Sequence, residues 1–389
     1  MKIRKILLLA GEESGLIYAE RLKDALQAAR PGEVMEFRGY QSEGFKTADL
    51  AVMGFWPVLK RLFFFLGVAR TMKRLVREWR PEAVVTVDYP GLNLKLAAYA
   101  KSLGIPAIHV VCPQVWAWHQ GRIPKVAAAL TKLLCFFPFE PPLFKGTSLD
   151  ARFIGHPLAD VFAAETAQAA QRGKAKAAVK ILALLPGSRI GEIQRILPRL
   201  LQAVHLLART GAAAGLSIRI PAANDRAYAE IERQVRANPP PAAFRLEIVR
   251  GKAREVLRQA DCAAVASGTA TLEAALARCP TVLVYAVSAL FAWFARRVIT
   301  GVKHIGLANV IAEKSGVEPP MPELLQEAFT PEAVAAQLTA WLDDAEARAR
   351  ASRALDDVMA RLAATSASAP AGGALGLAAR AIREIATEK

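Results

Sequence analysis

ILALLPGSR (181–189) and CAAVASGTATLE (262–273) are the two stretches on which the architecture turns. Each is a short apolar run that stops at small and turn-forming residues, and a helical pattern follows it. Such a run has the length of a buried strand, and a glycine turn opening a helix is the βα connection of a parallel sheet. In LPGSR the Pro-Gly turn exposes backbone amides, and Gly187, Ser188 and the planar fork of Arg189 suit an anion. In SGTATLE, Ser267, Gly268, Thr269, Ala270 and Thr271 place amides and hydroxyls at a helix N-terminus, while Glu273, one turn further in, is suited to accepting both hydroxyls of a ribose. Alone, each is also an ordinary turn, a surface arginine or a capped helix. Together they read as a nucleotide diphosphate site.

Outward from these stretches the same alternation recurs. In the second half, strands are expected at 181–186, 216–221, 244–249, 262–266 and 281–285. In the first half they are expected at 6–10, 83–88, 107–111 and 132–137, separated by helices at Leu16–Arg30, Leu66–Trp79 and Leu92–Leu103. Strands alternating with helices give an open α/β sheet that binds ligands at the carboxyl ends of its strands. Between the halves, 160–180 is polar and alanine-rich and reads as a partly helical connection. With 389 residues the chain suits two domains, and the helical tail from about 331 is placed to pack back across a cleft between them.

A hydrophobic content of 53% with 22% charged residues excludes disorder. The mean hydropathy of +0.23 hints at extra exposed apolar surface. Cys112, Cys135, Cys262 and Cys279 form no CxxC pair and no ligand spacing with histidine, so they read as reduced, mostly buried thiols rather than a metal site. The basic, apolar start MKIRKILLLA is too short for a signal peptide and reads as a first buried strand. No stretch reaches transmembrane length, which makes the cytoplasm the default compartment. The net charge of +16 calls for a partner. No nucleic-acid motif appears, whereas an anionic membrane surface or a phosphorylated substrate fits.

In the first half, VDYPGLN (87–93) puts Asp88 at a strand end, where a carboxylate can deprotonate a sugar hydroxyl; the plainer reading is a helix cap. GEESG (11–15) is a comparable turn in which Ser14 and Gly15 can approach a substrate. CPQVWAWHQGRIPKV (112–126) presents Trp116, Trp118 and His119 in a loop, suited to walling a cleft rather than filling a core. Residues 51–70 concentrate Met53, Phe55, Trp56, Phe63, Phe64 and Phe65 beside Lys60, Arg61 and Arg70. That mixture describes an interfacial segment, a pocket for acyl chains or an ordinary core helix. A second such patch lies at 290–304.

AGEESG, AVMGFW, VDYPGLN, PQVWAWHQGRI, FPFE, GHPLAD, LLPGSRIGEI, ASGTATLE and PELLQE occur in the order found in the lipid-A-disaccharide synthases, which the chain resembles from residue 3 to about 330. The resemblance implies an α/β fold of two Rossmann-like domains facing a central cleft, of glycosyltransferase B type. It implies an acceptor and membrane-facing domain at 1–165, a linker at 166–180, a UDP-sugar domain at 181–345 and a helical tail at 346–389. The implied reaction is an inverting transfer from UDP-2,3-diacylglucosamine to 2,3-diacylglucosamine 1-phosphate, giving lipid A disaccharide 1-phosphate and UDP with no cofactor or metal. Asp88 matches the family's proposed catalytic aspartate, with Ser14 beside it. Gly187, Ser188, Arg189, residues 267–271, Glu273 and Asn309 match its UDP-contacting positions. Met53, Phe55, Trp56, Phe63, Phe64, Trp116, Trp118 and His119 become acyl or membrane contacts, at the cytoplasmic face of the inner membrane. The chain departs from the family at Leu16, where an aspartate is usual, at Tyr40 within RGYQS, and at His119, where an arginine is usual. All three departures fall in the acceptor half.

Overall fold

The computed structural model describes residues 3–28, 32–50, 62–171, 179–209, 215–288, 292–293, 297–362 and 372–387. The chain divides into two compact units, Met1–Asp160 together with Leu362–Lys389, and Val161–Arg361. Each is built on a six-stranded parallel sheet.

In unit 1 the strands are β1 (Ile3–Ala10), β2 (Val34–Arg38), β3 (Ala83–Val87), β4 (Ala107–Val110), β5 (Lys132–Cys135) and β6 (Asp150–Phe153), ordered β2-β1-β3-β4-β5-β6. The helices are α1 (Glu13–Ala28), α2 (Leu62–Trp79), α3 (Pro90–Ser102) and α4 (Ile123–Ala129). All residues of β3, β4 and β5 are buried, as strands covered on both faces must be. Leu7, Leu9, Met72, Val76 and Leu96 form one core between sheet and helices.

Helix α5 (Pro157–Gln171) runs through 166–171, the first part of the expected linker; 172–178 lie outside the described residues. Unit 2 then has β7 (Ile181–Leu185), α6 (Ile190–Arg209), β8 (Ser217–Ala222), α7 (Asp225–Ala237), β9 (Arg245–Arg250), α8 (Ala253–Gln259), β10 (Cys262–Ala266), α9 (Thr269–Leu276), β11 (Thr281–Tyr285), α10 (Leu307–Lys314), β12 (Glu323–Leu325), α11 (Pro331–Asp343) and α12 (Ala345–Met359). Its order is β12-β11-β10-β7-β8-β9, the Rossmann arrangement of two halves wound outward from the centre.

The last helix, α13 (Gly373–Thr387), belongs to unit 1, where it packs on α1. The Ala374 N–H donates to the Asp160 carboxylate at 2.7 Å, and the buried Lys132 ammonium reaches Glu384 at 3.1 Å and Asp150 at 3.2 Å.

Three strands have no counterpart among the expected runs: β2 (VMEFR), β6 (DARF) and β12 (ELL). All are edge strands, short, charged and only half covered, so they lack the continuous apolar run that marks a central strand.

Candidate functional site

Winding reverses in unit 1 between β1 and β3, and in unit 2 between β7 and β10. Ligands of open α/β sheets bind at these switch points, beyond the carboxyl ends of the strands. GEESG and VDYPGLN follow β1 and β3; LPGSR and SGTATLE follow β7 and β10. The register pairs Ala10 with Val87 and Leu185 with Val265, so in each unit the two motif turns leave the sheet side by side.

Asp88 and Tyr89 both adopt left-handed backbone angles, φ 50° and 52°. Two successive non-glycine residues there cost about 1–3 kcal/mol each, so the surroundings must hold them. Asn93, fully buried in α3, donates to the Asp88 carbonyl at 2.7 Å and to Val87 and Leu9 carbonyls at 3.3 and 3.4 Å. The Asp88 N–H donates to Val110 O, and the Tyr89 hydroxyl donates to Leu50 O at 2.9 Å. Asp88 is thus no simple helix cap: its half-buried carboxylate accepts the Tyr89 N–H at 2.8 Å, and burial holds its proton affinity above the ordinary carboxylate value against that bond. Gly15, in the first turn of α1, lies against it; a Cβ there would stand 3.7 Å from Asp88 Cβ and 3.3 Å from Val87 O. The Ser14 side chain lies outside the described residues.

Tyr40 is fully buried and its hydroxyl donates to Asn93 Oδ1 at 2.7 Å. Its departure from the family pattern is therefore a strut beneath the Asp88 turn. The preceding Gly39 passes so close to Leu8 O that a Cβ would overlap it. Leu16 is half-buried in the first turn of α1.

The aromatic loop separates its members. Trp116 is a buried anchor, 5% exposed, contrary to the surface wall expected for it. Its indole N–H donates to Glu140 at 3.1 Å, and its ring meets Phe139 edge-on. Glu140 is buried too, and burial pushes its carboxyl up to about 8 although Phe137 N–H and Trp116 donate to it. Trp118 and His119 are exposed, with the Arg122 guanidinium 5.4 Å over the Trp118 ring.

Of the greasy segment, Met53, Phe55 and Trp56 lie outside the described residues. Phe63 and Phe64 part company on α2. Phe64 and Phe65 pack on the core with Val68, Met72 and Val76, while Phe63 is 85% exposed. Leu66, Arg70, Lys73, Arg74 and Arg77 share the exposed side at helical spacing. In the second patch, exposed Trp293 stacks with Arg297 at 3.9 Å.

In unit 2, Gly187 takes φ +110°, and a side chain there would overlap Glu192. Arg189 and Ser188 are exposed. The Arg189 guanidinium pairs with Glu192 at 2.8 Å, and Glu192 also reaches back to the Arg189 N–H, closing half of a capping box. Gly268 (φ +142°) opens α9, whose first amides meet no side-chain cap. Gly268 and Thr269 are exposed, Ser267 and Ala270 half-buried, and Ser267 N–H donates to Val284 O. Thr271 is fully buried and donates to Gly268 O at 2.8 Å, so its hydroxyl shapes the turn instead of facing outward. Glu273 is half-buried; burial raises its proton affinity, Arg254 opposes and Glu165 adds to it. Asn309 is buried, both amide hydrogens spent on Met321 O and Glu323 while its carbonyl takes Met321 N–H.

Glu192, Tyr285 and Arg254 escaped the sequence reading. Tyr285 ends β11, where the charges of Glu192, Arg189 and Arg195 act on its phenol. Glu192 lies within LLPGSRIGEI, three residues after Arg189, but no local signal marks its pairing; Tyr285 and Arg254 lie outside the turn motifs and are brought to the strand ends by the fold.

The sequence matches the family described as lipid-A-disaccharide synthetase over residues 6–371. It is 35% identical over 359 residues to the lipid-A-disaccharide synthase of Syntrophus aciditrophicus, covering 90% of this chain and 91% of that one. It is 37% identical over 369 residues to that of Anaeromyxobacter dehalogenans, covering 92% and 93%. Among solved structures, UDP-GlcNAc 2-epimerase from Neisseria meningitidis superposes with a TM-score of 0.56 at 11% identity over 100% of both chains. The calicheamicin glycosyltransferase CalG4 does so with 0.55 at 15% identity, over 99% of this chain and 98% of that one. At those identities the two structures speak for the fold of two Rossmann-like domains.

Proposed function

The chain belongs to the lipid-A-disaccharide synthase family of glycosyltransferases, and on that premise we propose that it transfers diacylglucosamine from UDP-2,3-diacylglucosamine to 2,3-diacylglucosamine 1-phosphate with inversion. The observation that carries the reading is Asp88, a half-buried carboxylate held in a left-handed turn at the switch point of its sheet. Burial raises its proton affinity, which makes the carboxylate a stronger base. It takes the proton of the acceptor hydroxyl as that oxygen attacks the anomeric carbon, and the bond to UDP breaks as the new glycosidic bond forms.

Unit 2 holds the donor. The uncapped amides of α9 receive the diphosphate, and Arg189 exchanges Glu192 for phosphate oxygens as negative charge builds on the leaving group. Glu273 accepts from the ribose hydroxyls. Thr271 and Asn309 shape the turns around the nucleotide, which fits their spent hydrogen bonds.

The exposed side of α2 carries Phe63 and Leu66 followed by four cations, the composition of a helix lying on an anionic lipid surface. No described helix is long and apolar enough to cross a membrane. Peripheral attachment to the cytoplasmic face of the inner membrane fits both substrates, which carry acyl chains.

A different lipid acceptor is the second reading, favoured by Leu16 and His119. Purified protein incubated in detergent with the two diacylglucosamine substrates tests both readings. UDP and a disaccharide phosphate whose mass equals that of the two substrates less UDP are expected. Intact UDP binding without that product refutes the first reading, and product from another acylated acceptor alone establishes the second.

A further inference from the structure

Cys112 follows β4, Cys135 ends β5, and Glu140 sits just beyond, before the turn Pro141–Phe144. Their two sulfurs and a carboxylate oxygen all lie within 4.8 Å of one another, and the three residues are 4%, 0% and 2% exposed. Side chains 23 and 28 positions away from Cys112 have thus been folded into one closed cluster. We propose that Cys112, Cys135 and Glu140 form a binding site for a borderline-soft divalent cation of the zinc type.

The donor set fits such an ion. Thiolate sulfur selects zinc-like metals over magnesium or calcium; two thiolates neutralise a divalent charge, and the carboxylate as third donor brings the set to one net negative charge, as three thiolates do in structural zinc sites. Tetrahedral zinc–sulfur bonds of about 2.3 Å set two sulfurs about 3.8 Å apart, so the donors have to close by about 1 Å at most. The outer shell is already built. Trp116 N–H donates to one carboxylate oxygen of Glu140 at 3.1 Å and Phe137 N–H to the other at 3.0 Å, which fixes the carboxylate plane as outer-shell donors do at metal sites. Phe137 and Phe139 stack on each other, and Phe139 meets Trp116, the donor to Glu140, edge-on.

Three protein donors leave a fourth corner for water or another small ligand. A cation here ties the ends of β4 and β5 to the anchor of the aromatic loop, and the proposal stands independently of the transferase reading. Cys262 and Cys279, buried in unit 2 without a carboxylate among a three-donor group of the described residues, provide the internal control.

The test uses the full chain stripped of metal with a chelator under reducing conditions, then titrated with Co2+ and Zn2+. One equivalent of Co2+ is expected to give thiolate-to-cobalt charge-transfer absorption, Zn2+ to displace it, and Zn2+ to raise the Tm. Cys112→Ser and Cys135→Ser should each abolish the band, Glu140→Gln should weaken binding at least tenfold, and Cys262→Ser should change nothing. Where a cysteine variant fails to fold, zinc protection of two wild-type thiols from alkylation, mapped to Cys112 and Cys135, decides the point. Absence of the band in folded wild-type protein, its survival in either cysteine variant, or protection mapped to Cys262 and Cys279 overturns the site.

Discussion

The ring of Tyr89 lies on Gly11, so closely that a Cβ on Gly11 would overlap the ring. The glycine that follows β1 is thereby coupled to the residue beside Asp88. Gly11→Ala must push the ring out and disturb two left-handed residues at once. A stability loss of about 1–3 kcal/mol is expected, with kcat down by about tenfold or more as the base is displaced. Denaturant unfolding and steady-state kinetics on the same preparation check both, and an unchanged kcat would detach Asp88 from the chemistry.

Asp88→Asn separates catalysis from folding. Loss of a general base should lower kcat by about 10²–10⁴ while UDP affinity stays within a factor of about two. The folded carboxyl binds its proton more tightly than the unfolded one, so its contribution to stability is fully present at low pH and lost as pH rises through the folded pKa. The asparagine variant should therefore melt higher than wild type at neutral pH and converge with it in acid. In the wild type, activity should fall on acidification at a pH above the ordinary aspartate range. Lower Tm for the variant at neutral pH would contradict the assigned burial.

Tyr40→Phe removes one hydroxyl from beneath the same turn. Asn93 loses its buried donor, at a cost of about 1–3 kcal/mol. Because Asn93 holds the Asp88 carbonyl, kcat should drop while KM for the UDP-sugar stays the same. A change confined to KM would place Tyr40 elsewhere in function.

Phe63 and its cationic neighbours are exposed enough to change without harm to the core. Phe63→Asp should leave the Tm unchanged and reduce binding to anionic vesicles by about tenfold. Salt should weaken the wild-type interaction through Arg70, Lys73, Arg74 and Arg77. Equal sedimentation of variant and wild type with vesicles would remove α2 from the membrane face.

Arg189→Ala gives up one exposed ion pair, which is worth little to folding. If the guanidinium transfers to phosphate, the Kd for UDP should rise about 10- to 100-fold. Calorimetry of UDP binding reads this directly, and an unaltered Kd would remove Arg189 from the phosphate contacts.

Hydrophobic period and turn chemistry were enough to lay out most of both sheets. Central strands are buried on both faces, so ILALL and CAAVA announce themselves as apolar runs, and the glycine turns after them mark where ligands meet backbone amides. The edge strands β2, β6 and β12 carry no such run because half of each faces solvent. Local pattern likewise named Asp88, Arg189 and the SGTATLE turn, each attached to a strand end.

Orientation and pairing are long-range properties, and the chain order does not contain them. Trp116 and Trp118 are two residues apart, yet one is sealed against Glu140 and the other stacks under Arg122. Phe63 and Phe64 are adjacent, and the turn of α2 sends one to solvent and one to the core. Tyr40 looked like a departure in acceptor handling until packing brought it to Asn93, 53 residues away. LPGSR and SGTATLE, the starting motifs, offered eight polar or flexible residues as equals. Sheet order set them side by side, while the local turn of each helix start turned Thr271 inward, paired Arg189 with Glu192 and left the amides of α9 without a side-chain cap.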